Sequence, residues 1–366
     1  MAKAKGTANP VIEKILGSAQ DMHDKIVGGK KPSMKFPLRS LANVRYTPKK
    51  GHFEMLGKKK ERTLTVSTVK TFAQTMRMIA LSKKMIETDE RATKRDAYYQ
   101  TKGWDDARCD DQVESDTILD DIEAYFGVNK EQLCFTPDEH GGLVAGELVV
   151  LDRDAGTGRP LEVDCTKFGS GSYGIPPEVE HLGFKTKAKF ILAIETGGIF
   201  DRLNRHRYWE KANCILVSMA GVPTRAVRRF IRRLADEKKI PVYVFVDCDP
   251  YGIANIYRTL KVGSGNNAHL NEYFCVPQAK FLGVTPQDIL DYKLPTHPLK
   301  DVDIKRAKDA LKNDPFFQHY KEWARGFEQL LKMGVRAEQQ AFAKHDLNHV
   351  MDVYLPEKLA HIERFL

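Results

Sequence analysis

The sequence has little of what would mark a secreted, disulfide-bonded or zinc-binding protein. It holds six cysteines among 366 residues, and no two of them form a C-x-x-C pair. This scatter argues against a zinc site and a disulfide framework, and it is typical of the reduced thiols of an intracellular protein. No apolar run approaches the length that crosses a bilayer, and no apolar leader follows the basic first residues. We therefore expect a cytoplasmic protein with no membrane partner.

Nucleotide-binding motifs are scarce as well. The chain has no G-x-x-x-x-G-K-[ST] loop, so it shows no ATP-hydrolysing motif of its own. Residues 169–174 are glycine-rich, but they do not stand between a strand and a helix, so we interpret them as a loop. These features argue against a P-loop ATPase.

Positive charge is what the chain has in excess. It carries 58 Lys and Arg against 49 Asp and Glu, which gives a formal net charge of +9. Such a balance favours a polyanionic partner, although charge alone does not separate DNA from RNA or a membrane surface. Residues 1–62 contribute fifteen basic and five acidic side chains, an excess of ten. We predict a basic N-terminal arm there, with a docking helix at 10–26; a merely solvated arm is the alternative.

The clearest fold signal lies between residues 185 and 252. Three short apolar runs, at 189–194, 214–218 and 241–246, are separated by segments long enough for helices. Nearly continuous apolar runs of this length are typical of parallel strands buried on both faces. The pattern predicts an α/β domain with a parallel sheet.

Acidic residues follow the outer two of these strands. Glu195 comes directly after the first strand, and Asp247 and Asp249 come after the third. Ligands of parallel sheets collect beyond the carboxyl ends of the strands, and residues two apart on an extended backbone point the same way, with Cys248 pointing the other way. Three converging carboxylates repel one another, and Mg²⁺ prefers a few carboxylates together with waters and phosphate oxygens. The spacing therefore predicts a Mg²⁺ site; a turn and a solvated strand end are the alternative.

The segment before this domain predicts three helices followed by a strand pair. The first helix is expected within 63–86, where apolar residues recur at spacings of three and four and Ser67 or Thr68 can cap the start. Two shorter helices are expected at 92–101 and 115–126. The strands are expected at 133–135 and 143–151, joined across a Gly-Gly pair. This layout is that of a winged helix, a common DNA-binding module.

A tyrosine pair lies within the second of these helices. A pair such as Tyr98 and Tyr99 is usually packing, with one ring buried and one half-exposed. The alternative is a nucleophile, which needs help to ionise because a free tyrosine has a pKa near 10. Arg95 would lie on the same helix face as both rings, where its guanidinium can stabilise a phenolate or bind a phosphate. Spacing alone does not decide which ring reacts.

The combination of these motifs resembles a known family. An R-D-x-Y-Y helix in a winged-helix module, followed by a Toprim module with E…D-x-D, is similar to the A subunit of topoisomerase VI, whose family also includes the meiotic double-strand-break protein. The family usually has a larger apolar residue where this chain has Ala97. The matching stretches are 94–99 (KRDAYY), 194–203 (IETGGIFDRL), 217–225 (VSMAGVPTR), 246–252 (VDCDPYG), 336–340 and 354–359 (YLPEKL).

The resemblance implies the DNA-cleaving subunit of an ATP-dependent type IIB topoisomerase. It implies that Tyr99 is the nucleophile, that it forms a transient 5′-phosphotyrosyl link, and that Arg95 assists. It also implies that Glu195, Asp247 and Asp249 hold Mg²⁺. One chain carries one nucleophile, so a break in double-stranded DNA needs a homodimer. Because the chain shows no ATP loop of its own, the resemblance implies a separate GHKL-type ATPase B subunit in an A2B2 heterotetramer. The alternatives are a meiotic-type break-forming homologue, a Toprim nuclease or primase without a covalent link, and a non-catalytic winged-helix binder.

The fold predicted from these signals is an α/β multidomain chain, in which a winged-helix DNA-binding domain precedes a Toprim α/β domain with a parallel sheet. Its parts are a basic arm with a docking helix (1–62), a winged-helix domain (63–151), a linker rich in glycine and proline (152–184) and a Toprim metal-binding domain with a C-terminal helical extension (185–366).

Overall fold

The computed structural model describes residues 9–136, 141–154 and 156–361. The chain splits into two compact units. The N-terminal unit is drawn from Met1–Val44, Met55–Glu139 and Gly265–Leu270, and the C-terminal unit from Arg45–Glu54, His140–Ser264 and Asn271–Leu366. Residues 1–8 of the predicted basic arm and residues 362–366 of the predicted C-terminal extension lie outside the described residues.

The chain before residue 137 consists of four helices and six short strands over the described residues. The helices are α1 (Pro10–Val27), α2 (Val69–Thr88), α3 (Lys94–Thr101) and α4 (Gln112–Phe126), with 3-10 turns at Leu41–Asn43, Asp105–Ala107 and Lys130–Leu133. The strands are β1 (Ser33–Pro37), β2 (Val44–Thr47), β3 (His52–Met55), β4 (Lys59–Thr63), β5 (Ala92–Thr93) and β6 (Phe135–Thr136). β1 pairs with β4 in an antiparallel ribbon.

Local capping signals set the ends of the predicted helices. The side chain of Asn9 accepts a hydrogen bond from the backbone of Val11, and Pro10 occupies the first turn of α1. Asp111 caps α4 in the same way, and Gly127 ends it in the left-handed conformation at φ 60°. The helices predicted at 10–26, 92–101 and 115–126 are therefore confirmed, with ends that move by up to three residues. Their apolar faces form the core of the N-terminal unit.

The predicted strand pair of the wing is wrong. β6 pairs in parallel with β5, the two-residue strand that directly precedes the tyrosine helix α3. The second expected strand splits into β7 (Leu143–Gly146) and β8 (Val149–Arg153), and β7 joins the large sheet of the C-terminal unit. Gly142, predicted to lie in the connection between the two strands, instead permits a close approach of backbones: a Cβ on Gly142 would lie 1.8 Å from the carbonyl oxygen of Ser218.

The predicted linker at 152–184 also carries regular structure. It contains β9 (Pro160–Asp164), β10 (Tyr173–Gly174) and most of β11 (Gly183–Lys185). β8 lies between β11 and β9 in a three-stranded antiparallel sheet. A high content of glycine and proline therefore marks tight connections between short strands in this segment rather than a free linker.

The large sheet of the C-terminal unit has six strands in the order β10-β7-β13-β12-β14-β15. Its parallel strands are β12 (Phe190–Ile194), β13 (Cys214–Ser218), β14 (Val242–Phe245) and β15 (Ala279–Gly283). Every residue of β12, β13 and β14 is buried. The three strands predicted from continuous apolar runs are therefore confirmed, for the expected reason that helices cover both faces.

Helices complete the C-terminal unit. They are α5 (Gly197–Arg205), α6 (Tyr208–Ala212), α7 (Arg225–Lys238), α8 (Arg258–Lys261), α9 (Asn271–Phe274), α10 (Pro286–Asp291), α11 (Asp301–Asn313), α12 (Pro315–His319), α13 (Lys321–Met333) and α14 (Leu355–Ala360). Two π-helical segments, Gly252–Tyr257 and Val350–Tyr354, precede α8 and α14. A short strand pair joins β16 (His297–Pro298) to β17 (Val335–Arg336). Over the ranges that the structure describes, no helix is long and apolar enough to cross a membrane.

Candidate active-site residues

Tyr99 projects from α3 into solvent. Its side chain is 59% exposed, although most tyrosines pack against a core. Thr93 and Asp96 form a capping box that fixes the start of α3, and Ala97 is fully buried beneath it. The hydroxyl of Tyr99 makes no hydrogen bond with any described residue. The helix therefore holds this ring on a rigid support with its oxygen accessible.

Tyr98 is placed differently. Its ring packs partly buried against the core of the N-terminal unit, and its hydroxyl lies 3.4 Å from the carbonyl oxygen of Asp110, to which it donates. The ammonium of Lys102 sits 4.4 Å from the ring centroid. The structure thus separates two tyrosines that spacing alone left equivalent: the Tyr98 hydroxyl is anchored by a hydrogen bond, and the Tyr99 hydroxyl is exposed and unbonded among the described residues.

Arg95 lies on the exposed side of α3, one helical turn before Tyr99. Within the described ranges it forms no ion pair, whereas its neighbour Lys94 contacts Asp116 at 3.4 Å. An exposed guanidinium without an acidic partner is available to a phosphate. This placement agrees with the assisting role predicted for Arg95 but does not test it.

The three predicted metal ligands come together in the C-terminal unit. Ile194 and Phe245 are neighbours in register on β12 and β14, so both strands end at the same edge of the sheet. The backbone N–H of Asp247 donates to Oε2 of Glu195 at 2.9 Å. A Cβ added to Gly252 would lie 3.2 Å from Oε2 of Glu195 and 3.4 Å from Oδ1 of Asp249. The carboxylates therefore converge over a glycine that leaves the space open.

Backbone N–H groups orient each carboxylate through one oxygen. Oδ1 of Asp247 accepts from the backbone of Gln339 at 2.9 Å, and Oδ1 of Asp249 accepts from Gly252 at 2.6 Å. The second oxygens of Glu195 and Asp247 accept no hydrogen bond from any residue that the structure describes. Each of these two carboxylates therefore has a fixed orientation and a second oxygen that is free to bind a ligand.

The electrostatics of this cluster favour a cation. Burial, together with the negative charge of Asp247, raises the pKa of Glu195 to about 8. Burial is also the main reason that the pKa of Asp247 and that of Asp249 lie above the ordinary value. A bound cation would stabilise the ionised carboxylates and so lower these pKa values.

The donor atoms of this cluster are carboxylate oxygens, which bear on the kind of metal ion that it could bind. Among the described residues, no group of three or more His, Cys, Asp or Glu side chains is placed so that it could hold a metal ion as it stands. Carboxylate oxygens are typical ligands of hard divalent cations, whereas structural zinc sites are built mainly from Cys and His.

Cys248 lies between the two aspartates but faces elsewhere. It is fully buried in the core of the C-terminal unit, and its backbone exchanges hydrogen bonds with Ala337 at 2.9 and 3.2 Å. The expected alternation of side chains along 247–249 is therefore confirmed.

Two residues near the carboxylates had no predicted role. Gln339 binds Asp247 through its backbone, and its side-chain amide donates to the carbonyl oxygen of Phe245 at 2.6 Å. Arg336 approaches Asp249, with 3.6 Å between Nη1 and Oδ2. Both fall in the stretch 336–340 that resembles the family. That resemblance was the available signal, because no spacing rule links residues about ninety positions apart.

The arginine-rich face of α7 is largely satisfied within the chain. Arg229 pairs with Glu180, and the guanidinium of Arg233 binds the carbonyl oxygens of Val179 and Leu182. This helix face mainly attaches α7 to neighbouring segments of the same unit.

Three protein-family models match the chain in sequence. Residues 70–134 match the model described as "Type IIB DNA topoisomerase". Residues 138–188 match "All-beta domain in DNA topoisomerase VI alpha subunit", and residues 190–359 match the model of the Toprim domain shared by Spo11 and the topoisomerase 6 A subunit. The class defined by the fold and the site is therefore that of the type IIB DNA topoisomerases.

Curated relatives identify the family within that class. The A subunit of type 2 DNA topoisomerase 6 from Methanocaldococcus jannaschii is 52% identical over 347 residues, which cover 95% of this chain and 94% of the relative. Proteins of the same name from Pyrococcus abyssi (37% identical, 95% of this chain and 94% of the relative) and Methanothermobacter thermautotrophicus (34%, 96% and 98%) also match. The chain belongs to the family of type 2 DNA topoisomerase 6 A subunits, and the predicted family and fold class are confirmed.

Proposed function

We propose that this chain cleaves and reseals double-stranded DNA with Tyr99 as its nucleophile. The observation that carries the proposal is the contrast between the two adjacent tyrosines: only the hydroxyl of Tyr99 is both exposed and unbonded. Its oxygen attacks a DNA phosphorus, a Tyr–O–P bond forms, and the bond from phosphorus to the 3′ oxygen breaks. The 3′ oxygen takes up a proton, and the phosphate stays joined to Tyr99 at the 5′ end. The reverse transesterification reseals the strand.

The phenol needs an electropositive setting to react near neutral pH, because its free pKa is about 10. Arg95 supplies a positive charge one turn away on the same helix. We assign it to the phosphate under attack or to the developing phenolate, since a guanidinium can donate two hydrogen bonds to either.

Glu195, Asp247 and Asp249 would hold Mg²⁺, which would offset the charge of the DNA phosphate and fix its position. The chain prepares this site in advance. Backbone N–H groups of Asp247, Gln339 and Gly252 fix one oxygen of each carboxylate, so little rearrangement is needed when the cation arrives.

The expected partners follow from the number of nucleophiles that a double-strand break requires. One chain has one nucleophile, so breaking both strands takes two copies, and a two-fold homodimer matches the pseudo-symmetry of duplex DNA. The relatives are named as A subunits, which supports a second kind of subunit. We assign ATP hydrolysis to a GHKL-type B subunit in an A2B2 assembly, because this sequence has no P-loop motif. Action on the genome would place the assembly inside the cell.

The decisive experiment traps the reaction in progress. The chain is mixed with its B subunit, DNA, ATP and Mg²⁺, the reaction is stopped with denaturant, and the DNA-linked peptide is mapped. A link at Tyr99 is expected. Cleavage without any protein–DNA link would instead indicate a Toprim nuclease and would overturn the proposal.

A further inference from the structure

The guanidinium of Arg336 lies between two acidic groups beside the carboxylate cluster. Its Nη1 is 3.6 Å from Oδ2 of Asp249 and 3.9 Å from Oδ2 of Asp303. Asp249 is one of the three assigned metal ligands, whereas Asp303 belongs to the start of α11. One positive charge is thus shared between a carboxylate of the site and a carboxylate outside it.

Arg336 is bound firmly to neither partner. Both distances fall within the range of an ion pair but exceed that of a hydrogen bond. Its Nε atom is buried and has no hydrogen-bond partner among the described residues. The side chain as a whole is half-buried, at 21% exposure. Because a guanidinium that is fixed on one carboxylate usually makes short bidentate contacts, this loose arrangement indicates a group that can shift from one carboxylate to the other.

Asp303 offers the guanidinium of Arg336 a buried carboxylate whose position is already fixed. It is 3% exposed, and its Oδ2 accepts from the backbone of Lys300 at 3.1 Å, which caps α11. Arg306 approaches its other oxygen at 3.7 Å, and the guanidinium of Arg306 covers the ring of Tyr251 at 4.9 Å. Asp303 therefore keeps a fixed position whether or not Arg336 turns toward it.

We propose that Arg336 is the resident counter-charge of the metal site: it pairs with Asp249 when the site is empty of cation, and it moves onto Asp303 when a divalent cation binds Asp249. This inference rests on the proposed metal role of Glu195, Asp247 and Asp249. On this proposal, Arg336 lowers the affinity of the site for the cation. It also offsets the repulsion among the three carboxylates when no cation is bound.

The sign of the effect follows from charge alone. Even at the dielectric constant of water, a guanidinium that lies close to a doubly charged ion opposes its binding by about tenfold. Arg336→Met should therefore bind Mn²⁺ about tenfold more tightly than the unaltered chain. Arg336→Lys, which keeps the charge, should stay within about threefold of the unaltered chain.

Asp303 provides a second, opposite test. In Asp303→Asn the guanidinium loses its alternative partner and should remain on Asp249, so Mn²⁺ affinity should fall by several fold. The amide oxygen of asparagine can still cap α11. Part of this loss is the direct effect of removing a nearby negative charge, so the same substitution is repeated in the Arg336→Met background. If Arg336 moves as proposed, the loss is smaller there, which is a coupling between the two positions.

The measurement is calorimetric titration of the full chain with MnCl₂, which does not depend on DNA cleavage. Arg306→Met is the matched control, because it removes a guanidinium that contacts Asp303 but forms no ion pair with Asp249; its Mn²⁺ affinity should change by much less than that of Arg336→Met. Thermal unfolding checks that each variant is folded, and Arg336→Lys keeps the test valid if the methionine variant is not.

The outcomes separate the two hypotheses. No Mn²⁺ binding by the unaltered chain would remove the proposed metal site itself. If the unaltered chain binds Mn²⁺ and Arg336→Met binds it equally well or more weakly, the proposed role of Arg336 is wrong but the metal site stands. The same conclusion follows if Asp303→Asn lowers Mn²⁺ affinity equally in both backgrounds.

Discussion

The backbone N–H of Asp247 donates a 2.9 Å hydrogen bond to Oε2 of Glu195. This contact ties the end of β14 to the end of β12, and it aims two carboxylates from distant parts of the sequence at one point. Because both strands are buried along their whole length, the sheet behind them is a rigid base. The catalytic proposals depend on that rigidity as much as on the acidic residues.

The first prediction concerns the nucleophile. Tyr99→Phe removes one exposed hydroxyl that contacts no described residue, so we expect it to abolish covalent capture of DNA while the melting temperature and DNA affinity stay nearly unchanged. Denaturant-stopped cleavage assays and a DNA-binding titration measure the two effects. Tyr98→Phe is the matched control and should retain cleavage. Capture that persists in Tyr99→Phe and disappears in Tyr98→Phe would reverse the assignment.

The second prediction concerns the carboxylates. Glu195→Gln, Asp247→Asn and Asp249→Asn each remove a charge that a cation needs, so each should stop cleavage, as should chelation with EDTA. Cys248→Ser is the control: the residue lies between the aspartates but faces the core, so cleavage should survive a destabilisation of about 1–3 kcal/mol from burying a hydroxyl. Undiminished cleavage in EDTA would contradict a metal-dependent reaction.

The third prediction concerns pH in the absence of metal. Burial and the charge of Asp247 raise the pKa of Glu195 to about 8 from an ordinary value of 4.5, so the folded chain binds this proton more tightly than the unfolded chain. Its contribution to stability is full below pH 4.5 and is lost as the pH rises to about 8, a change on the order of a few kcal/mol.

Urea unfolding of the metal-free chain across that pH window measures the effect. The decline should be smaller in Glu195→Gln, which cannot ionise there, and smaller again with Mg²⁺ present, because a cation stabilises the ionised form. A stability that rises between pH 5 and pH 8 specifically because of Glu195 would be inconsistent with the raised pKa.

The fourth prediction concerns the space left by Gly252. A Cβ there would lie 2.8 Å from the carbonyl oxygen of Asp247 and close to the side chains of Glu195 and Asp249. Gly252→Ala should therefore displace the carboxylates and reduce Mn²⁺ affinity and cleavage by at least tenfold. Gly326→Ala is the control, since Gly326 lies inside α13 with no heavy atom near its added Cβ; it should stabilise the chain by about 0.5–1 kcal/mol. Equal behaviour of the two variants would show that Gly252 does not shape the site.

Local signals in the sequence were sufficient for many elements. The continuous apolar runs predicted β12, β13 and β14, because burial on both faces requires such composition whatever the rest of the fold does. Capping residues marked the helices, since a cap acts within three or four residues of itself. The acidic residues at the strand ends were equally visible, because a parallel sheet fixes where its strand ends lie.

Tertiary structure decided what depends on distant partners. Strand β7 looked like half of a hairpin, but its pairing was settled by β13, about seventy residues later, and by the close approach that Gly142 permits. The sequence could not distinguish Tyr98 from Tyr99 without the family resemblance, because both carry the same phenol; only the packing of one ring against the core separates them. The positions of Arg336 and Gln339 beside the carboxylates likewise arise from chain folding, which brings together residues that no local rule connects.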